Sequence, residues 1–150
     1  MKLFNLYEDI QPLESDDIFE DDIDLAFDRA IESGERDPWL ESIIMKDPVR
    51  AHHYAKDVIE GRWPEAEPYI MTDFASAFWY AFDVIGGRWP EAEPIIMKDP
   101  TNAVDYAKHV IKGRWLEAEP YIRKDPSEWE IYRKAFGLFL NQLTEAPPAA

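Results

Sequence analysis

The segment Gly61-Arg62-Trp63-Pro64-Glu65-Ala66-Glu67-Pro68-Tyr69-Ile70 returns almost unchanged at residues 87–96 and again at 113–122, so Gly61, Gly87 and Gly113 mark a constant step of 26 residues. A tandem repeat of this length is one supersecondary unit that buries its apolar face only against its neighbours, which restricts the chain to a stacked array. With Ala51 as the start of a unit, full repeats run over 51–76, 77–102 and 103–128. A degenerate unit precedes them and a truncated one follows.

Within each unit, Ala51, Tyr54-Ala55 and Val58-Ile59 recur as Ala77, Tyr80-Ala81 and Val84-Ile85, then as Ala103, Tyr106-Ala107 and Val110-Ile111. These offsets place the side chains on one helical stripe and predict a first helix. Asp47-Pro48, Asp99-Pro100 and Asp125-Pro126 encode its start, an N-cap acid before a proline whose missing N–H costs nothing there; Asp73 keeps the cap without the proline. Asp125 and Glu128 have the spacing of a capping box. Gly61, Gly87 and Gly113 stand where a left-handed residue is expected to stop the helix. A short second helix follows, starting at Pro64 or only at Pro68, with Ala66, Ile70 and Met71 as its apolar face.

The end units differ. Arg36, Pro38, Glu41, Ile44, Met45 and Asp47 keep the register of the later units, while the preceding helix is displaced by a longer turn, so 25–50 reads as an N-terminal cap. Trp129, Tyr132, Phe136, Phe139 and Leu143 follow helical spacing and predict a closing helix over about 126–143. The expected fold is all-α: a short α-solenoid of tandem helical hairpins with an acidic N-terminal segment and a C-terminal capping helix. It divides into the acidic segment 1–24, a repeat domain 25–143 with caps 25–50 and 129–143, and a flexible tail 144–150.

The recurring Tyr-Ala-x-x-Val-Ile-x-Gly-Arg-Trp-Pro-Glu-Ala-Glu-Pro-x-Ile-x-x-Asp-Pro pattern resembles short helical repeats of uncharacterised tailed-bacteriophage proteins, over roughly residues 35–128. The resemblance implies a phage setting and a helical array. It carries no functional residues with it.

Charge narrows the function. The chain is 46% apolar and 14% aromatic, enough for a core despite a net charge of −15. Nine acids oppose Lys2 alone in residues 1–24. Such a chain is repelled by nucleic acid and anionic membranes and attracted to basic protein surfaces, so no direct nucleic-acid or membrane binding is expected. The absence of Cys excludes disulfides and thiolate chemistry. No apolar run of about 18 residues or secretory leader is seen, and a cytoplasmic protein, in a bacterial host, is expected.

Each candidate constellation has a structural counterpart. Trp63, Trp89 and Trp115 have the regularity of a stacking ladder, but their place beside an apolar stripe assigns them to the core. His52 and His53 are neighbours on a helix and point about 100° apart, so they do not share a metal. His53 with Asp57, and Asp105 with His109, have the spacing of surface salt bridges. No phosphate loop, nucleophile elbow or zinc motif occurs, and neither enzymatic activity, catalytic residues, metal nor cofactor is expected. The candidate partner-binding residues are acids: Asp16, Asp17, Glu20, Asp21 and Asp22 of the N-terminal segment, and Glu65, Glu67, Glu91, Glu93, Glu117 and Glu119 of the repeats. A row of paired carboxylates can imitate a phosphate backbone before a basic groove, as in an inhibitor of a host defence protein; the competing account pairs the repeat glutamates with Arg62, Arg88 and Arg114. The alternative function is an assembly adaptor that uses the array's face, or exposed aromatics such as Phe78 and Trp79, to bind another protein or itself.

Overall fold

The computed structural model describes residues 20–139, which are helical with no strand among them. The elements are α1 (Glu20–Ser33), α2 (Pro38–Ile44), α3 (Pro48–Tyr54), α4 (Glu67–Ile70), α5 (Phe74–Tyr80), α6 (Glu93–Ile96), α7 (Pro100–Tyr106), α8 (Glu119–Ile122) and α9 (Pro126–Ala135). Helices α3, α5 and α7 each run on through a π-helical turn, at Ala55–Ile59, Ala81–Ile85 and Ala107–Ile111. The long elements α1, α3, α5, α7 and α9 lie side by side, each against the next, and the short helices pack between them. The core is the repeated stripe itself: Ala51, Tyr54, Ala55, Trp63, Ala66 and Ile70 are buried, as are their counterparts in the next two units.

The predicted caps form. Asp47, Asp73 and Asp99 each accept the backbone N–H three residues on, from Arg50, Ser76 and Asn102, at 2.7–2.9 Å. Asp125 accepts from Glu128 N at 3.1 Å, but the reciprocal half of the capping box is missing, because Glu128 Oε1 accepts instead from Thr101 of the preceding unit. The second helix begins at Glu67, so Pro68 marks its start and Pro64 belongs to the turn before it. In the first unit Ser42 stands where Pro68 does; with an N–H in place of a ring, the backbone runs as one helix from Pro38 to Ile44.

Three expectations about the helix ends are corrected. The left-handed residue that ends each inner helix is the one before the recurrent glycine: Glu60 (φ 55°), Gly86 (φ 69°) and Lys112 (φ 58°). The carbonyl of Ala55 accepts from both Glu60 N and Gly61 N, which closes the π turn. A Cβ on Gly61, Gly87 or Gly113 would meet nothing within 4 Å, and the structure offers no account of their recurrence. The closing helix ends at Ala135 rather than near 143, stopped by Gly137 at φ 64°. Leu143 lies outside the described residues.

The displaced first helix has a different cause from the longer turn expected. Gly34, also left-handed, sits in the 26-residue register of Glu60, Gly86 and Lys112, so the turn has not lengthened. What differs is the helix end. Gly34 N bonds to Ala30 O, four residues back, whereas Glu60 N bonds to Ala55 O, five back. A π turn holds one extra residue, and α1 lacks it. Its buried alanines are accordingly Ala26 and Ala30, one position later than the repeat register predicts.

Candidate functional site

Two regions assemble polar or aromatic groups repeatedly. The first is the seam between units. Arg62 grips Glu67 through two parallel bonds, Nε to Oε1 and Nη2 to Oε2, both 2.8 Å. Glu67 Oε1 also accepts from the Tyr80 hydroxyl of the next unit at 3.0 Å, and the Tyr80 oxygen accepts the backbone N–H of Trp63 at 2.6 Å. The Tyr80 ring then packs on its own unit's Trp89, 5.0 Å between centroids. Arg88, Glu93, Trp89 and Tyr106 repeat this arrangement, and Glu119, Trp115 and Tyr132 keep its bonds through the tyrosine hydroxyl while Arg114 brings both Nε and Nη2 to Glu119 Oε1. Arg36, Glu41 and Tyr54 reproduce it in the degenerate unit. Each tyrosine is a bolt through a boundary between repeat units.

Buried polar groups demand such saturation, since an orphaned one costs about 1–3 kcal/mol. Burial and, secondarily, the bond to Glu41 push the Tyr54 hydroxyl up to about 12; burial raises Tyr132 to about 12 as well, and Tyr80 and Tyr106 are raised for the same leading cause. These hydroxyls stay protonated donors. The indole N–H groups of Trp89 and Trp115 are buried without an acceptor, which marks these rings as packing elements.

The seam separates the glutamate pairs. Glu93 and Glu119 are buried and Glu67 nearly so, each spent on its arginine and tyrosine, whereas Glu65, Glu91 and Glu117 are exposed. The paired row therefore presents one free carboxylate per unit, with Arg62, Arg88 and Arg114 exposed close by in the chain. In the N-terminal group, Glu20 and Asp21 are exposed and Asp22 half-buried in the first turn of α1, while Asp16 and Asp17 lie outside the described residues.

The second region is the outer face of the long helices. Aligning the units places His52, Phe78, Val104 and Glu130 in one column, His53, Trp79, Asp105 and Ile131 in the next, and Lys56, Phe82, Lys108 and Lys134 in a third. The 77–102 unit and its cap turn differ from their siblings by being aromatic: Phe74 replaces a proline, and Phe78, Trp79 and Phe82 replace mostly polar residues. Phe78, named with Trp79 as an exposed aromatic, is 3% exposed and forms the floor; Trp79 at 47% and Phe82 at 42% stand above it. Ring centroids are 4.9 Å apart for Phe78 and Trp79, 6.1 Å for Phe78 and Phe82, and 6.0 Å for Trp79 and Phe82.

A hollow opens on each side of this ridge. Towards α3, about 410 Å³ is lined by Val49, His52, His53, Lys56, Trp79 and Asp83 among others. Its acids are engaged: Asp83 Oδ2 meets His52 Nε2 at 3.2 Å and Lys56 Nζ at 3.1 Å, and Asp73 caps α5. Burial, reinforced by His53, lowers the His52 pKa despite the Asp83 bond. Towards α7, about 300 Å³ is lined by Phe82, Gly86, Gly87, His109, Val110 and Lys112, with no carboxylate among them. Phe82 and His109 here occupy the columns of Lys56 and Asp83, so an ion pair across one boundary becomes a ring contact of 6.2 Å across the next.

Of the predicted salt bridges, Asp105 and His109 approach to 4.0 Å, while His53 and Asp57 form none among the described residues. No group of three or more His, Asp or Glu is placed to hold a metal there, and no helix is long and apolar enough to cross a membrane. The open groove between α1 and α2, about 410 Å³, has Trp39 and Leu40 as its apolar wall and Arg29, Glu32, Glu35 and Arg36 at its rim. Sequence reasoning missed Phe82, Asp83 and Lys112; a column-by-column comparison of the units, rather than a search for what they share, holds the signal. No family model, curated protein or solved structure matches the chain.

Proposed function

We propose that this chain is a non-enzymatic protein-binding module: a short α-solenoid whose seam holds the units in register and whose outer face, centred on Trp79 and Phe82, docks another protein. The observation that carries this reading is that one unit alone exposes a large aromatic ridge at positions where its siblings fold with Asp, His or Lys. Asp105 and Lys108 stand at the same positions of the next unit, so the repeat does not require an aromatic there. A tryptophan over an aromatic floor is the kind of anchor that dominates binding energy at protein interfaces. A phage setting, implied by the resemblance of the repeat, suits an adaptor between assembly components.

A second reading keeps the acidic inhibitor, a mimic of DNA or RNA that occupies a basic groove of a host defence protein. It is favoured by the exposed Glu65, Glu91 and Glu117, one per unit, and by the acids of α1. Weighing against it, Glu67, Glu93 and Glu119 are consumed in the seam.

The test is a tagged pull-down from bacterial lysate with the native chain and with Trp79→Asp/Phe82→Lys, washed at low and high salt, with and without DNA. The adaptor reading expects partners that survive high salt and are lost with the variant. Partners kept by the variant, retained only at low salt and displaced by DNA, would transfer the function to the acids.

A further inference from the structure

We infer that the contact between α3 and α5 is a pH-sensitive joint: on acidification its outer edge, held by His52, Lys56 and Asp83, parts, while the Tyr80 bolt keeps the two units together at the seam. The sibling boundaries show what is singular here. By register, the column of His52 holds Phe78 and Val104, that of Lys56 holds Phe82 and Lys108, and these are set against Asp83, His109 and Ala135 in turn. Of the three boundaries, only the first closes over an imidazole. Among the described residues that are polar and buried, Glu41, Glu93 and Glu119 belong to the seam and Ser76 completes the cap of α5, which leaves His52. Its side chain is 6% exposed, and histidine is the residue whose charge changes nearest neutrality. His53 and His109 are exposed.

A count of charges gives the direction. Asp83 Oδ2 meets both His52 Nε2 at 3.2 Å and Lys56 Nζ at 3.1 Å, so with a neutral imidazole one cation balances one carboxylate. A proton on His52 sets a second cation on the same oxygen, with the His53 ring 4.7 Å away. The other carboxylates around this helix are engaged: Asp73 caps α5, Asp24 of α1 pairs with Arg50, and Glu41 of α2 and Glu67 of α4 are bound in the seam. Asp28 of α1 lies in the hollow beyond His53. An excess cation closed off from water is costly, and parting the two helices restores its hydration. Burial, reinforced by His53, accordingly lowers the His52 pKa in the closed array despite the Asp83 bond, so protonation favours the form that admits water. The seam side of the same boundary carries no histidine. Tyr80 is held there by Glu67 and by the Trp63 N–H, and its hydroxyl stays protonated, so one edge opens while the other acts as the pivot.

The test measures distances in the whole chain, whose lack of cysteine lets spin labels be placed at chosen sites. Lys46, Thr72, Lys98 and Lys124 are exposed and lie 26 residues apart, which provides two label pairs of equal span. The pair Lys46→Cys/Lys98→Cys crosses the joint; Thr72→Cys/Lys124→Cys does not. Double electron–electron resonance is read for each pair from pH 7.5 down to pH 5, with native His52, with His52→Asn, with His52→Phe, which copies Phe78 of the next unit, and with His53→Asn. The first distance should lengthen and broaden as pH falls while the second stays constant and helix content by circular dichroism is kept. Both His52 variants should abolish the change, and His53→Asn should retain it. Equal changes in the two pairs, no change in either, a change that survives the His52 substitutions, or its loss with His53→Asn would each overturn the joint.

Discussion

At the seam, the column of Tyr54, Tyr80, Tyr106 and Tyr132 is identical from the first full unit to the closing helix, and each hydroxyl meets a glutamate at 3.0–3.1 Å. One residue earlier, on the outer face, His53, Trp79, Asp105 and Ile131 occupy a column in which no two residues agree. Both columns sit on the same helices and pack under the same backbone geometry. The contrast separates what the array needs for folding from what each unit is free to vary, because the siblings serve as internal controls for one another.

The largest effect expected of that contrast comes from the tryptophans. Trp89→Ala should cost about 3–5 kcal/mol in urea unfolding, whereas Trp79→Ala should stay within about 0.5 kcal/mol, the ordinary range for surface positions. Equal losses would erase the distinction. Next comes the bolt itself. Tyr80→Phe removes two hydrogen bonds and orphans the Trp63 N–H, at about 1–3 kcal/mol, against almost nothing for the exposed Tyr69→Phe.

A smaller effect marks the helix ends that join the two regions. Glu60→Gly relieves a left-handed residue and should stabilise by about 0.5–1 kcal/mol after the entropy of the added glycine, whereas Gly86→Ala should destabilise by about 1 kcal/mol. Gly61→Ala, with open space around its Cβ, should do neither.

The two regions also part company with pH. Seam tyrosines are raised by burial, so the unfolded chain releases their protons first; their stability is fully present below pH about 10 and is lost as pH rises through about 12 for Tyr54 and Tyr132. Spectrophotometric titration should show these phenols ionising only as the fold melts. On the outer face, His52 has a lowered pKa, so the unfolded chain binds the proton first; its contribution is present above about pH 6.5 and declines as pH falls through the lowered folded value. With Asp83, Lys56 and His53 as its charged neighbours, His52→Asn should flatten that mildly acidic decline. A slope unchanged by the substitution would remove His52 from the account.

Much of this architecture was legible from the repeat. Period, caps and buried stripe follow from Asp-Pro, Tyr-Ala and Trp recurring at fixed offsets, since helical spacing translates directly into a face. What escaped were events of one residue: the π turn, the left-handed Glu60 and Lys112 where glycine was expected next door, and the stop at Gly137. Sequence spacing cannot register a single extra residue absorbed within a turn. The glutamate pairs misled for a related reason, because two acids separated by one residue look alike in sequence while the turn between Pro64 and Pro68 directs one inward to Tyr80 and leaves the other in solvent. The aromatic ridge was half visible, with Phe78 and Trp79 named, but the burial of Phe78 as its floor and its partner Phe82 needed the packing to be seen.

The most direct test of the division between seam and face gives the second full unit its successor's outer residues, Phe74→Pro, Trp79→Asp and Phe82→Lys together, and follows thermal unfolding by far-ultraviolet circular dichroism. The account predicts unchanged helix content and a stability within about 1 kcal/mol of the native chain. A collapse of the transition, or loss of helix, would place Trp79 and Phe82 in the core and contradict the claim that this face is free to bind.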